Sequence, residues 1–287
     1  MVEEMPMPSK EREDVIGRWS LEKLELLRKY LVGYLKVLKN QTWCRGYEYI
    51  DAFAGTGKPK TKDEQEYVDG SPRIALGLAP SFTRYHFIEQ ADWRVEKLEK
   101  LRAEFPNHNI AIYDGDCNKI LREQILPQLS YSSKKRAIAF VDPFGMQFEW
   151  ETMEYLAQTK TVEVLLNFPV MAINRGVLRK HPEMISKASR ERLDRFWGTK
   201  DWMVDLYMEE RTLFGTETVK KPHSGKEFGY AFKKRLGEIF HHCSNPILMT
   251  NSKNAPLYCM LFAGHNATGK KIAEEIFLKY EKRISHE

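Results

Sequence analysis

The stretch Tyr49-Ile50-Asp51-Ala52-Phe53-Ala54-Gly55-Thr56-Gly57 runs from an apolar strand straight into a turn of small residues. Where a parallel strand ends, backbone approaches a ligand closely only if side chains are short or missing, as at Ala54, Gly55 and Gly57. The chemistry this permits is the holding of a nucleotide-like ligand, with Asp51, Phe53 and Thr56 beside it. A phosphate-cradling P-loop does not fit, because Ala52 stands five before Gly57 and Pro59 follows Lys58. A dinucleotide fingerprint also lacks its third glycine, since Lys60 occupies that place. Later strand ends supply further polar groups. Glu89 after Phe87-Ile88 can accept hydrogen bonds from both hydroxyls of a ribose. In Asp114-Gly115-Asp116-Cys117-Asn118, Asp116 beside Cys117 can accept from an adenine amino group, although an Asp-Gly-Asp turn that merely caps a helix reads the same. Asp142 and Asn167 end two more strands, each an acceptor next to an aromatic ring, Phe144 and Phe168.

These residues need an alternating scaffold, and the hydrophobic pattern provides one. Ser20 can cap a helix reaching Leu38, with Leu24, Leu27, Leu31, Leu35 and Leu38 forming one apolar stripe. Short apolar strands are predicted over Tyr47 to Phe53, Arg84 to Ile88, Ile110 to Tyr113, Ala137 to Val141 and Val162 to Leu166. Helical periods lie between them over Ser71 to Leu78, Asp92 to Phe105, Asn118 to Leu126 and Glu149 to Ala157. Such alternation implies parallel strands with helices on both faces. The polar stretch Lys58 to Asp69 reads as an insertion, which accounts for a gap from Asp51 to Glu89 longer than the roughly 20 residues of a dinucleotide fold. Near the end, Ile247 to Thr250 and Leu257 to Phe262 are joined by a link too short for a crossover, so an antiparallel hairpin is expected. The organisation read from this is a helical segment over 1–45 packed on an α/β domain over 46–287, with a helical, basic insertion around 170–240.

Composition narrows the class. A chain of 287 residues with 42% hydrophobic content can bury one large core. Glu3, Glu4, Glu11 and Glu13 break any basic-then-apolar leader pattern, and no apolar run approaches the roughly 20 residues of a membrane span, so a cytoplasmic protein without membrane partners is expected. Cys44, Cys117, Cys243 and Cys259 form no C-x-x-C pair and read as buried free thiols, with no metal site expected. Net charge is +5. From Arg175 to Arg195 seven basic residues face three acids, and Phe196 and Trp197 follow. Arg175, Arg179, Lys180, Arg190 and Arg192 are therefore candidate phosphate contacts of DNA or RNA, with an aromatic ring available for a base; a solvated helix face is the plain alternative. Gly264-His265-Asn266-Ala267-Thr268-Gly269-Lys270-Lys271 mimics a P-loop but puts lysine where Ser or Thr must bind magnesium, so a helix start with solvated lysines is expected. His241-His242 in a strand point to opposite faces and chelate poorly.

The D-x-F-x-G-x-G of Asp51 to Gly57 resembles the first motif of class I S-adenosylmethionine methyltransferases, and five parallel strands with an antiparallel ending match their Rossmann-like sheet. The resemblance implies that Asp51, Phe53, Ala54, Gly55, Thr56 and Gly57, with Glu89, Asp116 and Cys117, hold S-adenosylmethionine. Asp142-Pro143-Phe144 is similar to the [DNS]-P-P-[YFW] of amino-directed members with one proline missing. It implies that Asp142 and Asn167 fix a target amine while Phe144 stacks on its ring. As a set, Y-I-D-A-F-A-G-T-G, G-S-P-R-I-A-L from Gly70, F-I-E, V-D-P-F-G, L-N-F-P and F-A-G-H-N-A-T-G-K-K-I from Phe262 resemble the three-Cys-motif partner family, TcmP, over most of the chain. That implies a separate partner with a three-cysteine, radical-S-adenosylmethionine-like motif, which this chain lacks. The function expected is methyl transfer to an exocyclic amine of DNA or RNA. The alternative is a non-catalytic accessory protein that keeps the fold.

Overall fold

The computed structural model describes residues 13–62, 66–213, 215–222 and 225–284; Glu3, Glu4 and Glu11 lie outside them. Its centre is a sheet of eight strands: β1 (Gly46–Asp51), β2 (Arg84–Glu89), β3 (Ile110–Asp114), β4 (Lys135–Val141), β5 (Val162–Phe168), β6 (His242–Cys243), β7 (Ile247–Thr250) and β8 (Pro256–Gly264). The spatial order is β6-β8-β5-β4-β1-β2-β3, with β7 also on β8. Strands β1 to β5 are parallel. Strand β8 enters antiparallel beside β5, placing Leu261 opposite Leu166, and pairs antiparallel with β7 and β6. The sheet therefore has the parallel-then-antiparallel programme expected from the sequence, with the two-residue β6 as an addition.

Helices cover both faces, and strand alternation assigns each residue to one of them. Tyr49, Phe87, Ile138, Phe140 and Phe262 pack under α1 (Arg18–Leu38), α2 (Ser71–Leu76), α3 (Asp92–Glu104) and α10 (Ala267–Ile284). Ile50, Ala139, Val141, Val164 and Leu166 face α4 (Cys117–Ile120), α5 (Trp150–Gln158), α7 (Lys187–Trp197) and α9 (Lys226–Leu236). The leucine stripe of α1 is buried as its spacing requires. Each such side chain contributes roughly 1.5–3 kcal/mol.

Four local expectations are corrected. Helix α1 starts at Arg18 with Gly17 as its cap residue, and Ser20 lies buried one turn inside. The expected helix from Asn118 breaks after α4 into a π turn over Leu121–Ile125 and a 3₁₀ turn over Leu126–Leu129, where Pro127 lacks the N–H a helix needs. The insertion after Lys58 carries a short strand, Lys60–Thr61, that pairs parallel with Val15–Ile16 and draws the N-terminal segment across the glycine turn. The 170–240 region is not wholly helical: α6 (Val170–Gly176), α7, α8 (Trp202–Leu206) and α9 enclose an antiparallel hairpin, Tyr207–Thr212 with Gly215–Lys220. Its Phe196, Trp197, Trp202 and Phe232 join the core around Phe168, with Phe168 and Phe232 centroids 4.7 Å apart. Cys117, Cys243 and Cys259 are buried and Cys44 is half-buried. Among the described residues no helix is long and apolar enough to cross a membrane.

Candidate active site

Strand order reverses between β1 and β4, so loops leaving their carboxyl ends diverge and open a crevice. Two cavities fill it. The smaller, of about 250 Å³, is lined by Phe53, Ile88, Glu89, Asp116 and Cys117 among others. The larger, of about 540 Å³, is lined by Lys23, Gly55, Thr56, Asp142, Asn167 and Tyr258 among others. Phe53, Arg94 and Phe144 border both. A third cavity, of about 550 Å³, continues from Phe144 to Arg192 and Arg195.

Glu89 is the fixed point of the smaller cavity. One carboxylate oxygen accepts the N–H groups of Gln90 (2.8 Å) and Ala91 (3.0 Å) at the start of α3. The other accepts the N–H of Gly55 (3.0 Å) and lies 3.6 Å from Arg94. One side chain thus ties β2, α3 and the glycine turn together. Gly55 and Gly57 hold left-handed conformations (φ 62° and 72°), and a Cβ at Gly57 would lie 2.6 Å from Leu101. Asp116 takes the capping role, accepting the Lys119 N–H at 3.0 Å, and still borders the cavity. Burial pushes the Cys117 thiol well up, which leaves it an apolar wall.

Asp51 is displaced from its expected place. It is fully buried, accepts the Tyr49 hydroxyl at 2.9 Å and borders neither cavity. Desolvation raises its pKa to about 7, against the hydrogen bonds from Ser71 and Tyr49 and with help from the Asp142 charge. The residue that reaches the glycine turn instead is Asp14. Its carboxylate accepts the Thr56 N–H (3.1 Å) and both Nε (3.0 Å) and a terminal nitrogen (2.7 Å) of Arg94. The Arg94 guanidinium lies 5.0 Å from the Phe144 ring centroid and 5.1 Å from that of Trp93. Nothing in the local sequence around Asp14 signals this role.

At the ends of β4 and β5, the Asn167 amide donates to Asp142 at 2.6 Å, and the second Asp142 oxygen pairs with Lys23 of α1. Lys23 was not foreseen. Its trace in the sequence is a polar interruption, Ser20 and Lys23, of the stripe that continues as Leu27 and Leu31. Phe144 is 71% exposed beside this pair. Asn167 Oδ1 and Thr56 Oγ1, both at the larger cavity, and Asp51 Oδ1 beneath it are buried polar atoms without a protein hydrogen-bond partner. Buried acceptors are rarely left so.

The basic cluster is dispersed. Arg190 donates to the Pro182 carbonyl (2.7 Å) and touches the Met203 sulfur (3.6 Å), while Arg179 donates to the carbonyls of Arg175 and Leu178. Arg175 and Lys180 are exposed away from the crevice linings. Of the five, Arg192 borders the third of these cavities, joined by Arg195, which the sequence reading did not single out. Phe196 and Trp197 are buried against Phe232 and cannot stack on a base. Among the described residues no three His, Cys, Asp or Glu side chains are grouped as metal ligands.

No family model matches the chain, and no curated protein matches its sequence. Solved structures do. A Legionella pneumophila protein of the DUF519 family aligns over 90% of this chain and 92% of its own, with 14% identity and a TM-score of 0.53. Weaker likenesses include TYW2 of M. jannaschii in complex with AdoMet (10% identity, TM-score 0.35, 86% of this chain and 75% of that one). Another is the N-terminal domain of EvdMO1 with SAH and D-fucose (7%, 0.41, 84% and 83%). The likeness is one of fold, and the resemblance to the three-Cys-motif partners rests on the motifs alone.

Proposed function

We propose that the protein is an S-adenosylmethionine-dependent methyltransferase acting on an exocyclic amine of a nucleobase in DNA or RNA. The observation that carries this reading is the pair of cavities meeting at Phe53 and Phe144, one floored by Glu89 and the other holding the Asp142–Asn167 pair. The residues fit the cofactor: the orphaned oxygen of Thr56 suits an N–H or O–H donor, and the glycine turn leaves a backbone surface open beside it.

When bound, the cofactor supplies a sulfonium methyl, transferred as the N–C bond forms and the S–C bond breaks. The protein's own part is positioning, which makes a bimolecular step effectively unimolecular. Glu89 and Arg94 hold the cofactor side, Asn167 Oδ1 accepts from the target amine, and Phe144 covers its ring. Lys23 and Asn167 fix the Asp142 carboxylate, and the released proton passes to water. Arg192 and Arg195 line the next cavity, and in this reading they meet flanking phosphates.

A second reading is an accessory protein that docks a three-cysteine-motif partner. It is favoured by one observation, that both Asp142 oxygens are already engaged. Calorimetric titration with S-adenosylmethionine and S-adenosylhomocysteine, followed by labelled-methyl transfer to RNA and DNA, decides between them. Cofactor binding with transfer upholds the enzyme; no binding leaves the accessory role, which co-purification with the partner then tests.

A further inference from the structure

The amino ends of the strands, roughly 20 Å behind the crevice by strand length, carry surfaces the methyl-transfer reading does not use. A cavity of about 510 Å³ is lined by Trp43, Tyr131, Arg136, Lys160, Glu163 and His265 among others. It shares His241 with a shallower one of about 400 Å³, where Tyr230, Lys233, Lys234 and Lys270 stand. The two linings together hold five Lys or Arg (Arg136, Lys160, Lys233, Lys234, Lys270) and one acid, Glu163. The acid is withdrawn: its carboxylate is buried, accepts the Tyr30 hydroxyl at 2.6 Å, and desolvation raises it to about 7. The whole chain, by contrast, has 45 basic and 40 acidic residues.

Aromatic rings stand among these cations. The Arg136 guanidinium lies 4.4 Å from the Trp43 ring centroid and 5.2 Å from that of Tyr131. Trp43, Tyr131 and Tyr230 are 44%, 66% and 45% exposed. Alternating cations and exposed rings suit a chain of phosphates with unpaired bases, since phosphates are neutralised by the cations and each base offers a π face. The amino end of α10 opens on the same cavity and adds partial positive charge.

We infer that this reverse face is a binding surface for single-stranded nucleic acid, holding a part of the substrate strand remote from the methylated base. The inference rests on the proposed substrate class for the strand's identity and on the Trp43–Arg136–Tyr131 stack with Lys160, Lys233 and Lys234 for its location. It places the main phosphate contacts on the opposite end of the sheet from Arg190 and Arg192.

The test is fluorescence anisotropy of labelled single-stranded RNA and DNA 20-mers, without cofactor, over a salt series. Wild type is compared with a Lys160→Gln/Lys233→Gln/Lys234→Gln variant and with Trp43→Ala. Expected are binding by wild type, a loss of at least about tenfold at low salt in the triple variant with a log–log salt slope smaller by about 2, and a loss of about five- to a hundredfold in Trp43→Ala with the slope kept. RNA against DNA arms name the polymer. Wild-type affinity and slope in both variants, no oligonucleotide binding by wild type, or loss seen only in a crevice-side control variant, Arg192→Gln, would each overturn the inference, as would binding only to phosphatidylserine vesicles. Calorimetry with S-adenosylmethionine on the same samples reads the crevice separately, so failure of the reverse face and failure of the methyltransferase reading are distinct.

Discussion

The crevice acids Glu89, Asp14 and Asp142 and the reverse-face acid Glu163 are treated in opposite ways. At the carboxyl ends Glu89 accepts three backbone N–H groups, Asp14 holds Arg94 and Thr56, and Asp142 holds Lys23 and Asn167. At the amino end Glu48 is also held, by His86 (2.7 Å) and Lys135 (2.8 Å), but Glu163 accepts the Tyr30 hydroxyl and is pushed to about 7. A carboxylate kept for binding needs partners that hold it in place; one used only to fill the base of a helix can surrender its charge to burial. Asp51 is the exception at the front, buried and raised like Glu163 in spite of the hydrogen bonds from Ser71 and Tyr49.

The strongest test of this contrast is Asp142→Asn. Loss of the charge that fixes Lys23 misplaces the Asn167 acceptor, and methyl transfer should fall by about 10²-fold with cofactor affinity kept within about twofold; equal losses in both would put Asp142 in the cofactor pocket or the fold. Next comes Glu89→Ala, which should weaken cofactor binding by about 1.5–3 kcal/mol in calorimetry. An unchanged affinity would remove Glu89 from the site.

At the other end the contrast becomes a pH effect. Between the ordinary glutamate value of 4.5 and about 7 the folded chain keeps the Glu163 proton while the unfolded chain releases it. Fewer protons on the unfolded state mean that stability falls as pH rises through that window. Glu163→Gln retains an acceptor for Tyr30 and should flatten the decline in urea-unfolding free energy between pH 4.5 and 7, leaving the part of the same sign due to Asp51. A slope identical to wild type would show Glu163 charged in the fold. The smallest effect belongs to Phe144→Ala: at 71% exposure its loss should change unfolding free energy by no more than about 0.5 kcal/mol, while KM for the methyl acceptor rises. A stability loss beyond about 1 kcal/mol would make Phe144 a packing residue.

How far the chain could be read follows from the range of its interactions. Strand and helix positions were legible because period and turn chemistry act within a few residues, as in the leucine stripe of α1 and the glycines after Asp51. Cap and break points were less so, since Ser20 as cap lost to Gly17, and a helix from Asn118 met Pro127. The hairpin Tyr207–Thr212 with Gly215–Lys220 escaped because its pairing lies inside a charged stretch without clean apolar alternation.

By itself the sequence determined the parallel sheet with its antiparallel ending, the glycine turn, and the acceptors Glu89, Asp142 and Asn167 at strand ends, because strand period and chain order fix which residues lead each loop. Tertiary structure alone decided that Asp14 rather than Asp51 meets the turn, that Lys23 neutralises Asp142 across 119 positions, that Phe196 and Trp197 serve the core, and that basic and aromatic residues distant in the chain share the reverse face. Those are contacts between elements, and no local pattern encodes which side chain a folded neighbour will present.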